Sequence, residues 1–430
     1  MRRPVSQSVG PGRYRWVICA LLLAAMAINY IQRQTVGLLK IPLQHEFALD
    51  EVGYANIVFW FQAAYALGYV SFGRVLDRIG ARTGYAVAFL LWNLSHMAAG
   101  LAATALQFTL ARVGLGLGES GAFPASLKAV ADWFPQKERA LATGIFNAGT
   151  NFGAIIAPAI VPVLTATWGW RSSFFVTGAI GMLWLLAWLA VYRRPQEHPR
   201  VSPQELALIE SDHEAPATPL KWWRLLRLKE TWAYAGARFL IDPIWWFYLF
   251  WLPDFLHKTY RLDLSSFGPP LIAIYLISDV GSVLGGFSSS AMLSRGVSVN
   301  VARKLTLLIC AVLVLPVLLV SGVANLWAAV LLIGLAAAAH QAFSANVYTF
   351  PSDVLPRSAV ASVIGIGGMA GAVGGMLFTE FVGQMLQATG SYRILFIIAG
   401  SVYFVALMVI HLLSPRLQRV TGNFGSTGVA

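Results

Sequence analysis

Long apolar segments recur along the whole chain, and this recurrence restricts the fold more than any other feature. Windows of about 20 apolar residues are long enough to cross a bilayer as helices. Because 57% of the 430 residues are hydrophobic and only 12% are charged, there is enough apolar sequence for twelve such helices. We therefore predict an all-α integral membrane protein with spans near 16–38, 52–73, 83–104, 107–131, 139–165, 171–192, 232–256, 267–293, 302–322, 325–349, 358–385 and 391–413.

The apolar segments divide the chain into two halves of six predicted spans. Between the halves lies a polar, Pro-rich linker containing Ser202-Pro203-Gln204-Glu205. This pattern is typical of a helix start and predicts a short surface helix. The predicted domains are an N-terminal tail at 1–15, an N-terminal half at 16–192, the linker at 193–231, a C-terminal half at 232–413 and a C-terminal tail at 414–430.

The chain has 31 Lys and Arg residues against 19 Asp and Glu, and the basic residues concentrate in the tails, the linker and the loops after even-numbered spans. By the positive-inside rule, both termini and the linker are expected in the cytoplasm. The basic excess then reflects topology, so no nucleic-acid partner is expected. The loops after odd-numbered spans carry few basic residues, namely Lys40, Arg171, Lys258, Arg261 and Arg393.

The loop after the second span reads Gly73-Arg74-Val75-Leu76-Asp77-Arg78-Ile79-Gly80-Ala81-Arg82. Gly73 allows close helix approach, Gly80 permits a tight turn, and Asp77 can pair with Arg78 and Arg82 at a helix end. The loop resembles the signature loop of the major facilitator superfamily. That resemblance implies two pseudo-symmetric six-helix halves with a substrate site between them. It also implies that Gly73, Asp77, Arg78, Gly80 and Arg82 form a cytoplasmic gate.

Further segments resemble the anion:cation symporter family, and most of all the bacterial hexuronate transporters. The resemblance implies proton-coupled import of glucuronate or galacturonate by alternating access across the inner membrane of a bacterium, with no enzymatic activity. A sugar-acid anion, protons and membrane lipid are the expected partners of a monomer, and no cofactor or metal is expected. The segments are Asn29-Tyr30-Ile31-Gln32-Arg33-Gln34, Gly118-Glu119-Ser120-Gly121-Ala122-Phe123-Pro124, Trp245-Trp246-Phe247-Tyr248-Leu249-Phe250-Trp251-Leu252-Pro253 and Gly365-Ile366-Gly367-Gly368-Met369-Ala370-Gly371.

Charges within the spans mark a water-filled cavity or an ion pair, because each costs about 2.5 to 3.5 kcal/mol at the centre of a helix in lipid. The guanidinium of Arg33 can bind a carboxylate through two parallel hydrogen bonds. Resemblance to a family Tyr-x-Asp-Arg motif implies that Arg33 binds the substrate carboxylate; the alternative is an arginine at the outer interface. Arg112 and Glu119 are seven residues apart on one predicted helix, so they can share a cavity. Glu119 can carry the coupling proton, or it can form a permanent ion pair. Arg112 can take part in proton coupling, or it can have a structural role.

One position departs from the family pattern. Relatives usually carry Asp where this chain has Gln32, and a carboxamide forms hydrogen bonds but cannot titrate. Either Glu119 carries proton coupling alone, or coupling is impaired in this chain.

A hexuronate presents hydroxyls and one apolar ring face, which favours polar side chains beside an aromatic surface. Trp246 and Trp251 are expected to face lipid or the membrane interface, and His340 is expected to be a hydrogen-bonded structural residue. The predicted sugar-binding residues are Tyr30, Tyr65, Asn147, Trp245, Tyr248, Gln341 and Ser344, beside Arg33 and Glu119.

Two other functions stay open from the sequence. One is transport of a different organic anion, such as an aldonate or an aromatic acid. The other is a ligand sensor built on a transporter fold, although the linker is short for a signalling domain. Gly116-x-Gly118-x-x-Gly121 matches a dinucleotide fingerprint by letter, but it lies inside an apolar span with no preceding strand.

Overall fold

The computed structural model describes residues 12–211, 222–355 and 357–418. Within these ranges it does not describe the side chains of residues 70, 73, 74, 77, 136, 140, 222, 223, 265, 357, 358 and 361. The described chain is helical and contains no strand.

The N-terminal half begins with one long helix, which is followed by a short helix. Its elements are α1 (Tyr14–Leu38), α2 (Lys40–Glu46), α3 (Glu51–Leu101), α4 (Ala105–Glu119), α5 (Ala122–Trp133), α6 (Gln136–Trp168) and α7 (Trp170–Val191). Gly80 interrupts α3 with φ 77° and ψ 169°, a conformation that favours glycine, so α3 contains two spanning segments. Helices α4 and α5 follow each other closely and together form one span.

The linker contains a 3-10 turn at Pro195–Glu197 and two short helices, α8 (Pro203–Glu210) and α9 (Trp222–Leu225). Ser202 Oγ accepts a hydrogen bond from the backbone N–H of Glu205, and Pro203 is the first residue of α8. The elements of the C-terminal half are α10 (Lys229–Tyr260), α11 (Gly268–Ser294), α12 (Val299–Val314), α13 (Leu326–Val354), α14 (Arg357–Thr389) and α15 (Arg393–Leu413), with 3-10 helices at Leu264–Ser266 and Leu315–Gly322.

Eight helices in the described part of the chain are long and apolar enough to cross a membrane by length and composition alone. The two parts of α3, the α4–α5 pair and α10 complete twelve spans. Large apolar side chains such as Leu183 and Val283 remain exposed on the outside of the bundle, at 67% and 72%. We expect this outer surface to contact lipid, because the bilayer interior contains no water and therefore favours an apolar protein exterior.

Among the helices that meet between the two halves, α3 packs against α14, α6 against α11, and α1 against α10. Within each half, glycines bring helix backbones close together. A side chain at Gly149 or Gly153 of α6 would place its Cβ 2.2 Å or 2.4 Å from a carbonyl oxygen of α1. Such close approach buries surface without bulky side chains, as is common between helices in membranes.

A buried ion cluster joins the halves on the side of the bundle opposite the two termini. Lys40 Nζ donates to Glu51 Oε2 at 2.6 Å and to Asp254 Oδ2 at 2.7 Å. Lys258 Nζ donates to Glu51 Oε1 at 2.6 Å, and the Tyr392 hydroxyl donates to Asp254. Since Lys40 and Glu51 belong to the N-terminal half and the other three to the C-terminal half, this cluster closes the bundle on that side.

The linker is held against the N-terminal half on the side of the termini. Glu205 of α8 accepts hydrogen bonds from the backbone N–H groups of Tyr14 and Arg15, and the Arg15 side chain bridges Glu205 and Glu138. Glu205 therefore uses its carboxylate to fasten α8 to the start of α1. The His198 ring lies 4.2 Å from the Tyr14 ring, and its burial lowers the pKa of His198 below the ordinary value.

Candidate functional site

Two of the predicted charges meet between α1 and α4. Arg33 Nε donates to Glu119 Oε2 at 2.8 Å, and the Arg33 and Glu119 side chains are only 6% and 0% exposed. Arg33 also donates to Asn29 Oδ1 at 3.2 Å. The second carboxylate oxygen, Glu119 Oε1, is buried and has no hydrogen-bond partner in the described structure. The pair therefore retains an open acceptor.

Arg112 is the third charge of this cluster. It is 1% exposed, and none of its three side-chain nitrogens has a hydrogen-bond partner in the described part of the chain. Its guanidinium lies 4.6 Å from the centre of the Phe61 ring, and that of Arg33 lies 5.9 Å from the same ring. A buried guanidinium without an acceptor is costly, since charges in an apolar interior require a partner. An anion placed between the two arginines would supply one.

Aromatic rings surround the Arg33 guanidinium. Its carbon lies 4.9 Å from the centres of the Tyr30 and Tyr65 rings and 5.1 Å from that of Trp246. Trp246 is on α10, so this aromatic group combines residues from both halves of the protein. Aromatic faces attract cations and can also cover the apolar face of a sugar.

The expectation that Trp246 and Trp251 face lipid or the membrane interface is wrong. Their exposed fractions are 8% and 0%. Trp246 packs against Phe61 and Tyr65, and the Trp251 ring lies 5.5 Å from that of Tyr54, all in the N-terminal half. Both indoles are buried because α10 packs against the opposite half as well as its own.

Gln32 lies on a different face of α1 from Arg33. Its Nε2 donates to Asn93 Oδ1 at 2.7 Å and to the carbonyl oxygen of Thr177 at 3.2 Å, and the residue is 0% exposed. The carboxamide thus joins α1 to α3 and α7 in the interior of the N-terminal half. Here the side chain has a structural contact that a carboxylate cannot make, because a carboxylate has no N–H donor.

The remaining predicted sugar-binding residues are spread over four places. Trp245 stacks on His340 with 5.5 Å between ring centres, and Asn147 is exposed on α6. Tyr248 is 1% exposed, and its ring lies 5.8 Å from that of Phe247, inside the C-terminal half. Gln341 and Ser344 lie on α13, half-buried and buried. The structure thus groups Tyr30, Arg33, Tyr65 and Glu119, and places Tyr248 away from them.

His340 has the surroundings of a structural histidine. Its Nδ1 lies 2.7 Å from the Tyr403 hydroxyl, and one face of its ring is covered by Trp245. It is 2% exposed. These contacts hold the imidazole between α10, α13 and α15.

The loop at Gly80 is partly described. Arg78 and Arg82 are exposed, and Arg82 donates a 2.6 Å hydrogen bond to the carbonyl oxygen of Leu189 on α7. The surroundings of Gly73 and the side chain of Asp77, two of the predicted gate residues, lie outside what the structure describes. The pairing expected between Asp77 and the arginines therefore stays a prediction.

Sequence reasoning passed over a second buried charge pair, which lies on α10. Arg238 Nε donates to Asp242 Oδ2 at 2.8 Å, and the two side chains are 9% and 13% exposed. The Arg238 guanidinium lies 4.1 Å from the centre of the Tyr348 ring. The sequence signal was present, since opposite charges four residues apart on one helix commonly pair.

Comparisons with known proteins agree on the family. The sequence pattern of the Major Facilitator Superfamily matches residues 22–379. The chain is 32% identical over 383 residues to a hexuronate transporter of Escherichia coli (strain K12), covering 87% of this chain and 88% of that one. It is 28% identical to a probable galactarate/D-glucarate transporter of Bacillus subtilis (strain 168), covering 94% and 93%.

The fold is shared with a solved transporter structure. A crystal structure of a bacterial homologue of the human lysosomal transporter Spinster, in an inward-facing and occupied conformation, superposes with a TM-score of 0.77. It shares 19% identity over 94% of this chain and 98% of the other. The chain therefore belongs to the major facilitator superfamily, a family of transporters and not of enzymes.

Proposed function

We propose that this protein is a secondary transporter that imports a sugar acid, most specifically the hexuronates glucuronate or galacturonate, together with protons. Two relatives with sugar-acid transport in their names support the substrate class, and the first of them is named for hexuronate. The observation that carries the proposal is the buried cluster of Arg33, Arg112 and Glu119. Two buried guanidinium groups face a single carboxylate, so the cluster keeps an excess of positive charge that favours an anionic substrate, and the excess is largest when Glu119 is protonated.

The ion pair suggests how a proton and a substrate are coupled. While Glu119 is ionised, its carboxylate occupies the Nε side of Arg33. When Glu119 binds a proton, its attraction for Arg33 weakens, and Arg33 can turn its N–H groups to the substrate carboxylate. Release of the proton restores the Arg33–Glu119 pair and displaces the substrate. Glu119 is the proton carrier in this scheme, and Gln32 takes no part in it.

Alternating access determines which side of the membrane the substrate site faces at each step. We place both termini and the linker in the cytoplasm, which agrees with the distribution of Lys and Arg in the loops. The ion cluster of Lys40, Glu51, Asp254, Lys258 and Tyr392 then closes the periplasmic side. Rocking of one half against the other would open this side and close the cytoplasmic side around the same central site.

Uptake into liposomes tests the proposal. Purified protein is reconstituted, and labelled glucuronate or galacturonate is supplied with unlabelled substrate inside, or with an acid-outside pH gradient. We expect exchange in the first format and accumulation in the second, with neither in protein-free liposomes. Exchange without accumulation would remove proton coupling from the proposal. Absence of both with each hexuronate would refute the substrate assignment and favour another organic anion or a sensor.

A further inference from the structure

The Arg238–Asp242 pair has no part in the scheme above, yet it borders the same space. Asp242 and Trp246 are four residues apart on α10, which is one helical turn or about 6 Å along the axis. The Trp246 ring lies 5.1 Å from the Arg33 guanidinium. Asp242 is therefore one turn of α10 from a residue whose ring contacts Arg33, towards the side of the termini.

Residues of the N-terminal half face this pair. Tyr348, whose ring covers Arg238, is 47% exposed although its neighbours Val347 and Phe350 are buried, so it borders open space. Tyr69 of α3 lies next to the pair: a Cβ at Gly368 of α14 would be 3.5 Å from the Tyr69 ring, and Gly371, one turn further along α14, adjoins Asp242. The open space beside Tyr348 accordingly lies between the two halves, where the substrate site is expected.

The surroundings of the pair keep its carboxylate in place. A Cβ at Gly371 of α14 would lie 1.9 Å from Asp242 Oδ2, so any other residue there would displace the carboxylate. Both contacts with Arg238 use Oδ2, which leaves Oδ1 for another donor. Asp242 Oδ1 is thus an acceptor of the kind that a sugar hydroxyl satisfies.

The charges of the two halves differ. Arg33 and Arg112 outnumber Glu119 in the N-terminal half, whereas Asp242 cancels the charge of Arg238 in the C-terminal half. A hexuronate has one carboxylate and a neutral hemiacetal end, and the corresponding diacid has a second carboxylate at that end. A carboxylate placed beside the Arg238–Asp242 pair meets like charge at Asp242, which disfavours it.

We propose that Asp242 determines substrate specificity by neutralising Arg238, so that the site accepts sugar acids with one carboxylate and rejects the diacids. This inference rests on the proposed function, because it assumes that the carboxylate of a sugar acid binds at Arg33 and Arg112. It assigns the Arg238–Asp242 pair to the uncharged end of the substrate. There, Asp242 Oδ1 accepts hydrogen bonds from sugar hydroxyls, and the Arg238 guanidinium donates to them.

Competition in the liposome exchange assay tests the inference. Exchange of labelled glucuronate is measured with increasing glucarate or unlabelled glucuronate as the competitor. Glucarate has a carboxylate in place of the hemiacetal carbon and is therefore open-chain, a difference in shape that is the same for every variant and cancels when their ratios are compared. In the wild-type protein we expect glucarate to inhibit at least about tenfold more weakly than glucuronate. Asp242→Asn leaves Arg238 uncompensated, so the ratio of the two inhibition constants should fall at least about tenfold. If galacturonate is the better substrate, galacturonate and galactarate replace this pair.

Two further variants separate charge from shape. The double variant Arg238→Gln with Asp242→Asn removes both charges and should keep the wild-type ratio. Asp279→Asn removes a half-buried carboxylate from α11, on a different helix from the pair, and should also keep it. An unchanged ratio in Asp242→Asn, or an equal fall in Asp279→Asn, would overturn the inference.

The outcome remains decisive if Asp242→Asn does not fold. Arg238→Gln alone leaves Asp242 without its cation, and the ratio should then widen beyond the wild-type value. A ratio that stays the same in Arg238→Gln would overturn the inference. If the proposed function itself is wrong, the result is different: the wild-type protein would then exchange no labelled hexuronate.

Discussion

Lys40→Met is expected to open the side of the protein that faces away from the termini. The Lys40 side chain is 1% exposed and contacts two carboxylates, Glu51 and Asp254, which are 14% and 1% exposed. Methionine has a similar length but no charge. The substitution leaves both carboxylates close together, with only Lys258 to compensate them.

The size of the effect follows from the burial of the cluster. Removing one partner of a buried ion pair costs about 3 to 5 kcal/mol, and the remaining contacts of Lys258 favour the lower end, about 3 kcal/mol. The cost applies to the closed arrangement, because the same groups are hydrated when the halves separate on this side. Since about 1.4 kcal/mol corresponds to a tenfold change, the equilibrium should shift about a hundredfold towards the open arrangement.

Distances between two spin labels measure this shift. His45 in the N-terminal half and Ala388 in the C-terminal half are exposed on the relevant side and can be replaced by cysteine. The native cysteines, Cys19 and Cys310, are both buried. In the labelled protein with Lys40 intact, we expect one short distance between the labels at positions 45 and 388. With Lys40→Met, we expect a longer distance to dominate.

Arg393→Met provides the matched control. Arg393 is an exposed cation on the same side, next to Tyr392 in sequence but outside the cluster, so its loss should leave the distances unchanged. Identical distances in Lys40→Met and the unsubstituted protein would refute a closing role for the cluster. An equal change in Arg393→Met would mean that any lost positive charge on this side has the same effect.

Four other substitutions or conditions have defined outcomes. Arg33→Ala should abolish hexuronate binding, and near-normal affinity by equilibrium binding would reassign Arg33 to anchoring. Glu119→Gln should spare exchange but eliminate accumulation driven by a pH gradient; unchanged accumulation would exclude Glu119 as the proton carrier. Gln32→Asp leaves the acceptors on Asn93 and Thr177 without donors, so thermal unfolding should show a loss of about 1 to 3 kcal/mol. Burial lowers the pKa of His198 from the ordinary 6.5, so the unfolded chain binds its proton first and stability should fall as the pH drops below about 6.5; His198→Gln should remove this dependence.

The charged residues of the site could be predicted from the sequence, because they lie within apolar segments. Arg33, Arg112 and Glu119 could be selected because each is costly in lipid unless it has a partner or water. Their pairing was not predictable, since the spacing of Arg112 and Glu119 indicated only that they share a helix. The structure pairs Glu119 with Arg33 of α1 instead, and leaves Arg112 without an acceptor in the described chain.

Residues whose role depends on which face of a helix they occupy were harder to predict. Gln32 and Arg33 are adjacent, yet one contacts the interior of the N-terminal half and the other contacts Glu119. Trp246 appeared suited to lipid and is buried against Phe61 and Tyr65. Because α10 is apolar on several sides, its periodicity does not distinguish lipid from protein.

The sequence by itself determined that this chain is a helical membrane protein of twelve spans, and the loop around Gly80 indicated its family. Both follow from local properties: about 20 apolar residues are needed to cross a bilayer, and Gly80 adopts a backbone conformation that favours glycine. The folded structure was needed to show that Lys40 meets Asp254 across the two halves, and that Glu119 pairs with Arg33 of α1. Those contacts join residues up to 214 positions apart, and their geometry depends on how the helices rotate and pack against each other.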